Sequence, residues 1–209
     1  MPRPDSLQVG KFEERPILTQ NLLIMPQSLI FFHGGGSKED FEADAKLVNS
    51  LKQNLGPGYD IHYPQLPNNG TPDLGRRQQI NDEIAAAGDN VILVGHSLGA
   101  SMLLACLSET KVQTKIKGIF LLATPYWQGN EDWVEAFKLK KGFAAQLDKK
   151  IPTFFYHSRD DEEVAFTQLK QYREQLPWAT FREMALGGHQ MNNDLTLVAD
   201  DIRSINSPV

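Results

Sequence analysis

The chain has 209 residues, of which 41% are hydrophobic, and this suits one folded domain that needs no disulfide or structural metal. Its formal net charge is −5 and it has no basic cluster, so nucleic acid and anionic membranes are poor candidate partners. The single cysteine, Cys106, lies in an apolar helical pattern that predicts a buried thiol. The apolar stretches are far shorter than the ~20 residues that span a bilayer. Residues 1–5 lack the apolar core of a signal peptide, so we expect a soluble, cytoplasmic protein.

Strand-like and helix-like segments alternate along the chain. Residues 1–16 are polar and include three prolines, which predicts a partly disordered region or a flexible arm. The predicted strands are 17–25, 28–32, 59–63, 91–94, 117–123, 151–156 and 179–184, and the predicted helices are 38–55, 73–87, 97–109, 133–147, 164–175 and 195–205. Because the middle strands are continuously apolar, we expect a single α/β domain over residues 1–209. Its mostly parallel sheet, of about six to seven strands, should carry helices on both faces.

The most informative motif follows the strand at 91–94. There the apolar run ends in Gly95-His96-Ser97-Leu98-Gly99, and a helical pattern begins at once. A Gly-x-Ser-x-Gly pentad between a strand and a helix predicts a turn too tight for side chains at the two glycines. Such a turn exposes the hydroxyl of Ser97 and places the amide of Leu98 at a helix N-terminus, where negative charge is stabilised. The motif therefore predicts a nucleophilic serine.

Three further loops follow predicted strands, and the carboxyl ends of parallel strands collect functional groups. The loop His33-Gly34-Gly35-Gly36 does not match a phosphate-binding pattern, because Lys38 is misplaced for one. It is better explained as an oxyanion loop, in which the amide of Gly34 or Gly35 acts together with that of Leu98.

The other two loops supply an acid and a base. Asp160 and Asp161 follow the strand at 151–156, and His189 follows the last strand between glycine-rich neighbours. A serine hydroxyl needs a base to take its proton, and the base needs an acid to orient it. The chain order serine, acid, histidine is that of one large class of hydrolases. We therefore expect a triad of Ser97, His189 and one of the two aspartates.

These segments together resemble the α/β-hydrolase superfamily over nearly the whole chain from about residue 28. In that family the acid usually stands three residues before a valine, which favours Asp161 because Val164 follows it. Asp160 remains the alternative, and Ala165 stands where the family usually has proline. The resemblance implies acyl transfer to water without a cofactor.

Residues 124–150 provide only a small flap, which we expect to contain one helix. Its aromatic residues Tyr126, Trp127 and Trp133 either line an acyl pocket or pack the flap onto the sheet. The loop at 64–72, with Gln65 and Leu66, is expected to form the opposite wall of a substrate site. A small flap favours an open site that accepts a small ester.

The predicted activity is therefore that of a carboxylesterase-like serine hydrolase acting on a small-molecule ester or thioester. A thioesterase, amidase or lipase would use the same residues, and a non-catalytic binding protein or a scaffold for a protein partner would keep the same fold. No cluster of metal ligands is evident, so no metal is predicted. The remaining histidines, His33, His62, His96 and His157, are assigned structural roles. The sequence gives no prediction of oligomeric state.

Overall fold

The computed structural model describes residues 25–206, which form six strands and five α-helices. The strands are β1 (Gln27–Phe32), β2 (Tyr59–His62), β3 (Val91–His96), β4 (Ile116–Leu122), β5 (Thr153–Ser158) and β6 (Thr180–Met184). The helices are α1 (Lys38–Leu55), α2 (Arg76–Ala86), α3 (Ser97–Glu109), α4 (Leu169–Gln175) and α5 (Thr196–Ser204). The arm predicted at 1–16 and the strand predicted over 17–25 lie, except for residue 25, outside the described residues.

All six strands of the described region form one parallel sheet in the order β2-β1-β3-β4-β5-β6. The register pairs Phe32, at the end of β1, with Gly95 near the end of β3. Chain order reverses here, since β2 lies on one side of β1 and β3 on the other. Open parallel sheets bind ligands in the crevice beyond such a switch point. The predicted parallel α/β architecture is confirmed.

Local sequence signals account for the bounds of α1. The Ser37 hydroxyl accepts a hydrogen bond from the Asp40 amide at 3.1 Å, and the Asp40 carboxylate accepts one from the Ser37 amide at 2.8 Å. This reciprocal pair is a capping box, which satisfies two amides that a helix start leaves unpaired. Gly56, with a φ of 73°, ends the helix. None of the described helices is both long and apolar enough to cross a membrane.

The core has two layers, one on each face of the sheet. Leu29 and Phe31 of β1 pack on the face covered by α1 and α5, whereas Ile30 and Phe32 pack on the face covered by α2 and α3. This alternation is the period of two that a strand imposes on its side chains. Both faces of β1 are therefore buried by apolar side chains, and polar groups of the site can lie only beyond its carboxyl end.

The flap differs from the prediction. Residues 133–147 do not form one helix but two short 3₁₀ helices, Asp132–Phe137 and Phe143–Ala145. Gly142 has a φ of 81°, a left-handed conformation that an α-helix cannot continue through. Val134, Phe137 and Phe143 are nevertheless buried, so the apolar spacing that suggested a helix reflects packing of two separate turns on the sheet.

Candidate active site

Ser97 stands at a strained turn between β3 and α3. Its φ is 50°, in the left-handed region that non-glycine residues rarely adopt. A side chain at Gly95 would come within 2.6 Å of the Cα atom of Ala100, and one at Gly99 would overlap the carbonyl oxygens of β1 and the residue after it. The turn therefore requires both glycines, as the pentad predicts, and it leaves Ser97 partly exposed.

Asp161 and His189 are brought together at the neighbouring strand ends. Nδ1 of His189 donates to the Asp161 carboxylate, at 3.0 and 3.1 Å from its two oxygens. Both side chains are buried, with exposed fractions of 3% for His189 and 0% for Asp161. The amides of Glu163 and Val164 each donate to the same carboxylate at 2.9 Å. These contacts fix the carboxylate and, through it, the imidazole ring.

Ser97 lies on the same side of the sheet as this pair, because it lines one cleft together with Glu163, whose carboxylate is 3.6 Å from Nε2 of His189. Among the described residues no hydrogen bond joins the Ser97 hydroxyl to His189. Catalytic contacts of this kind are often long in an unliganded enzyme and shorten when substrate binds. The structure thus places the three residues at one edge of the sheet, with the acid–base contact already formed.

A second histidine contacts the acid. Nε2 of His157 lies 3.2 Å from Oδ2 of Asp161 and donates to the carbonyl oxygen of Val164 at 2.8 Å. Burial alone would raise the pKa of Asp161, but hydrogen bonds from the two histidines and a backbone amide outweigh burial and hold that pKa far below its usual range. Asp161 is therefore ionised whenever the protein is folded at neutral pH.

The neighbouring acidic residues have separate contacts. Asp160 accepts hydrogen bonds from the amides of residues 187 and 188, at 3.3 and 3.0 Å, and does not contact the His189 ring. Glu162 accepts the His189 amide at 3.1 Å. The carboxylate of Glu163 lies 3.6 Å from Nε2 of His189 and is 67% exposed. Three of the four acids in this run thus hold the histidine loop or its ring, and the fourth is mostly exposed but still close to that ring.

The glycine-rich loop after β1 is held by two aspartates. The amide of Gly34 donates to Asp44 at 2.8 Å, and those of Gly36 and the next residue donate to Asp40 at 2.8 Å. The sequence left open whether Gly34 or Gly35 supplies the amide for an oxyanion. The Gly34 amide already has a carboxylate acceptor, so it is not available for that role. Among the described residues the amide of Gly35 has no acceptor, and neither does that of Leu98 within the first turn of α3.

The orientation of the peptide between Gly34 and Gly35 is also fixed. The Gly34 carbonyl accepts a hydrogen bond from Nδ1 of His33 at 2.7 Å, and Nη1 of Arg76 lies 3.5 Å from it and 3.3 Å from the His33 carbonyl. Since N–H and C=O point in opposite directions across a trans peptide, the Gly35 amide points away from the buried Arg76. His33 and Arg76 thus present the Gly35 amide outward from the core.

A cleft of about 640 Å³ opens beside Ser97. Its lining includes all three predicted flap aromatics, together with two acids and one lysine: Tyr126, Trp127, Trp133, Glu131, Glu163 and Lys170. The Trp127 indole donates to the Ser101 hydroxyl at 3.0 Å, whereas Trp133 is 62% exposed. Trp127 therefore anchors the flap to α3, whereas most of the Trp133 side chain is exposed beside the cleft.

The structure does not bring Gln65 and Leu66 to this cleft. They line a separate depression of about 290 Å³ beside residues 36–38. Leu66 is only 4% exposed and packs in the core, and its amide donates to Nε2 of His33 at 2.9 Å. Neither residue is therefore among those that line the cleft beside Ser97, and the apolar side chain of Leu66 turns inward.

Two polar residues near the site were not identified from sequence. Asp44 was overlooked inside α1, although its spacing with Leu47, Val48 and Leu51 puts a carboxylate on the buried face of that helix. A charged residue in an apolar stripe is the signal that could have revealed it. His157 gave no such signal, because its contact with the acid depends on how the loop at 159–164 folds back.

Comparison with known proteins agrees with this geometry. The sequence model of a family described as Serine hydrolase matches residues 71–195, more than half of the chain. The chain belongs to the serine hydrolase family. The matched region contains the predicted nucleophile, acid and base, and it begins after the glycine-rich loop. Among curated proteins, no sequence matches this chain.

Several solved structures are similar to this serine hydrolase over most of its length. The ydeN gene product from B. subtilis has a TM-score of 0.65 and 19% identity, over 88% of this chain and 100% of its own. Est1E from Butyrivibrio proteoclasticus, with ferulic acid bound, has a TM-score of 0.62 and 14% sequence identity over 90% of each chain. Mouse alpha/beta hydrolase domain-containing protein 10 has a TM-score of 0.61 and 16% sequence identity, over 86% of this chain and 89% of its own. These likenesses confirm the predicted α/β-hydrolase fold.

Proposed function

We propose that this serine hydrolase cleaves a small carboxylic ester through an acyl-enzyme intermediate. Ser97 is the proposed nucleophile, His189 the base and Asp161 the acid that orients the base. The observation that carries the proposal is the buried contact between His189 and Asp161, which occupies Nδ1 and leaves Nε2 of the imidazole 3.6 Å from the carboxylate of Glu163, a residue that lines the cleft together with Ser97. The other ring nitrogen is thereby fixed as an N–H donor, so Nε2 is the atom that can accept a proton.

The reaction would take place in two halves. In the first, the Ser97 oxygen attacks the ester carbonyl carbon while Nε2 of His189 takes the hydroxyl proton. The tetrahedral intermediate collapses, the alcohol leaves with that proton, and an ester of Ser97 remains. In the second half, water attacks the same carbon, His189 takes a proton from the water, and the carboxylic acid departs as the serine recovers its proton.

The amides of Gly35 and Leu98 are the proposed donors to the oxyanion. Their support is that neither has an acceptor among the described residues and that Gly35 is oriented by His33 and Arg76. The N-terminal end of α3 adds a favourable dipole at the same point. Each donor of this kind contributes about 100- to 1,000-fold to the rate in comparable sites.

The shape and lining of the cleft favour a small ester. The flap adds only two short turns, and the exposed indole of Trp133 offers an apolar surface at the entrance. Tyr126 and Trp127 are proposed to contact the acyl or alcohol part, since both line the cleft beside Ser97. Thioesters and amides would be attacked by the same groups, so ester preference is the part of the proposal that needs a substrate panel.

Covalent labelling with a fluorophosphonate, read by intact mass, tests the mechanism without knowledge of the substrate. We expect one adduct on Ser97 in the native protein and none in Ser97→Ala or His189→Ala. Folding of each variant is checked by circular dichroism. Absence of an adduct on folded native protein would contradict the proposal and favour a binding protein with this fold. An adduct would be followed by a panel of p-nitrophenyl esters, thioesters and anilides of matched acyl length.

A further inference from the structure

One buried carboxylate contacts three of the four loops that carry the proposed catalytic groups. Asp44 of α1 is 1% exposed and accepts three hydrogen bonds. They come from the amide of Gly34 at 2.8 Å, from Nδ1 of His96 at 2.8 Å and from Nε2 of Gln190 at 3.1 Å. Gly34 precedes the proposed oxyanion donor, His96 precedes the nucleophile, and Gln190 follows the base. Asp44 is therefore adjacent to the proposed nucleophile, base and oxyanion loop while touching none of the reacting atoms.

His96 extends this contact to the histidine loop. Its Nδ1 lies against the Asp44 carboxylate, and its Nε2 lies 3.1 Å from the carbonyl oxygen of His189. A carbonyl oxygen and an ionised carboxylate both accept hydrogen bonds, so with Asp44 ionised both ring nitrogens carry protons and the imidazole is positively charged. Burial alone would lower the pKa of His96, but the neighbouring carboxylate outweighs burial and raises it. The same pairing holds the pKa of Asp44 below its usual range, against burial.

We infer that Asp44 and His96 form a buried ion pair that positions the oxyanion loop, the serine turn and the histidine loop relative to one another. The inference rests on the proposed function, since positioning has meaning only for groups that react. A buried ion pair is weak evidence for stability, because removing two charges from water costs about as much as their attraction returns. The three hydrogen bonds of Asp44, however, join α1 to three segments that are far apart in sequence, at Gly34, His96 and Gln190. Asp44 and His96 are thus positioning residues and not catalytic ones.

The geometry predicts which kinetic constant depends on the pair. Asp44 contacts none of the residues that line the cleft, so substrate binding should be nearly unchanged by its replacement. In Asp44→Asn one acceptor oxygen becomes a donor, which leaves either Gly34 and His96 together, or Gln190, facing an N–H group. A shift of about 1 Å in the placement of reacting groups costs on the order of 100-fold in rate. We expect kcat and the rate of fluorophosphonate labelling to fall about 10- to 100-fold, with KM within about threefold.

Asp201 provides a matched control. It is also buried, at 6% exposure, and its carboxylate accepts hydrogen bonds from the Tyr156 hydroxyl at 2.7 Å and from Arg182 at 2.7 and 3.0 Å. It contacts none of the three catalytic loops. Asp201→Asn should lower the free energy of unfolding while leaving kcat and the labelling rate within about threefold of the unmodified protein. Equal losses of kcat in the two variants would overturn the positioning role.

The charge on His96 can be measured in the unmodified protein, so this test of the ion pair does not require any variant to fold. Nitrogen-15 NMR of the histidine rings distinguishes an imidazolium from a neutral ring. At about pH 8, where an ordinary histidine is neutral, we expect His96 to give an imidazolium spectrum, assigned in the unmodified protein by through-bond correlation of the ring with the backbone amide of His96. A neutral His96 would overturn the ion pair. Absence of labelling in the unmodified protein would instead contradict the proposed function, while the spectrum would still decide the pair.

Discussion

Nδ1 of His189 lies 3.0 Å from Oδ1 of Asp161, and neither side chain is exposed to solvent by more than 3%. Water therefore cannot compete for the hydrogen bond, and the imidazole is held in a single tautomer. An imidazole fixed in this way has its other nitrogen free to take a proton from a hydroxyl. The tautomer of His189, the proposed base, therefore depends on the carboxylate of Asp161.

Asp161→Asn is predicted to reduce the rate of fluorophosphonate labelling about 10³- to 10⁴-fold. The asparagine amide can donate to Nδ1, which places the ring proton on Nε2 and removes the base. The measurement is the second-order labelling constant at about pH 7.5, where an unperturbed histidine is mostly neutral.

Asp160→Asn is the control for that substitution. Asp160 holds two amides of the histidine loop but does not touch the ring, so its replacement should cost less than about tenfold in the same assay. A larger loss for Asp160→Asn than for Asp161→Asn would identify Asp160 as the acid, which is the alternative that the sequence left open.

A second prediction concerns the turn at Ser97. Gly95→Ala should lower the free energy of unfolding by about 1–3 kcal/mol, because the added methyl group meets the Ala100 backbone at 2.6 Å. Gly58→Ala should be neutral or stabilise by up to about 1 kcal/mol, since no atom lies within 4 Å of the added carbon. Urea unfolding followed by fluorescence measures both. A Gly95→Ala variant as stable as the unmodified protein would show that the turn is looser than its geometry implies.

The parts of the fold that the sequence predicted well are those controlled by neighbouring residues. The bounds of α1 follow from the cap at Ser37 and the glycine at 56, and α3 begins at Ser97 because the strand before it ends in a pentad with two obligatory glycines. In each case the deciding interaction lies within a few residues of the boundary. Such signals are legible without knowledge of the tertiary structure.

The parts that could not be predicted depend on long-range contacts. Leu66 turns into the core because its amide reaches His33, and Asp44 reaches Gln190 across 146 positions of sequence. The choice between Gly34 and Gly35 likewise required knowing that Asp44 takes the first amide. Apolar spacing at 133–147 indicated burial correctly but could not distinguish one helix from two turns separated by Gly142.

A third prediction concerns Cys106, whose thiol is 2% exposed and donates to the Arg77 carbonyl at 3.6 Å. Burial raises its pKa to about 12. At about pH 8 only on the order of one thiol in 10⁴ would then be ionised, and the thiolate is the reactive form. We expect no reaction with a disulfide reagent such as DTNB in the native protein and one equivalent in denaturant. Rapid stoichiometric reaction of the folded protein would contradict this burial.

The last prediction concerns the charge of the substrate. Glu163 lines the cleft, and its carboxylate lies 3.6 Å from Nε2 of His189, on the path to the reacting carbonyl. An ester whose acyl part carries a carboxylate would bring a second negative charge to within about 4 Å of it. Two unit charges at that distance repel by about 1 kcal/mol in water, and Glu163 is exposed enough for the value in water to apply.

Glu163→Gln should therefore raise kcat/KM for a half-ester of a dicarboxylic acid about fivefold relative to a neutral ester of the same length. The preference should shrink as salt is added, because added ions screen an exposed charge. Asp60→Asn removes the same charge from an exposed position on β2, at the far edge of the sheet, and should leave the ratio unchanged. A ratio that shifts equally in both variants would assign the effect to net charge and not to the cleft. A ratio that shifts in neither would place the acyl group away from Glu163, on the side of the cleft lined by Tyr126 and Trp127.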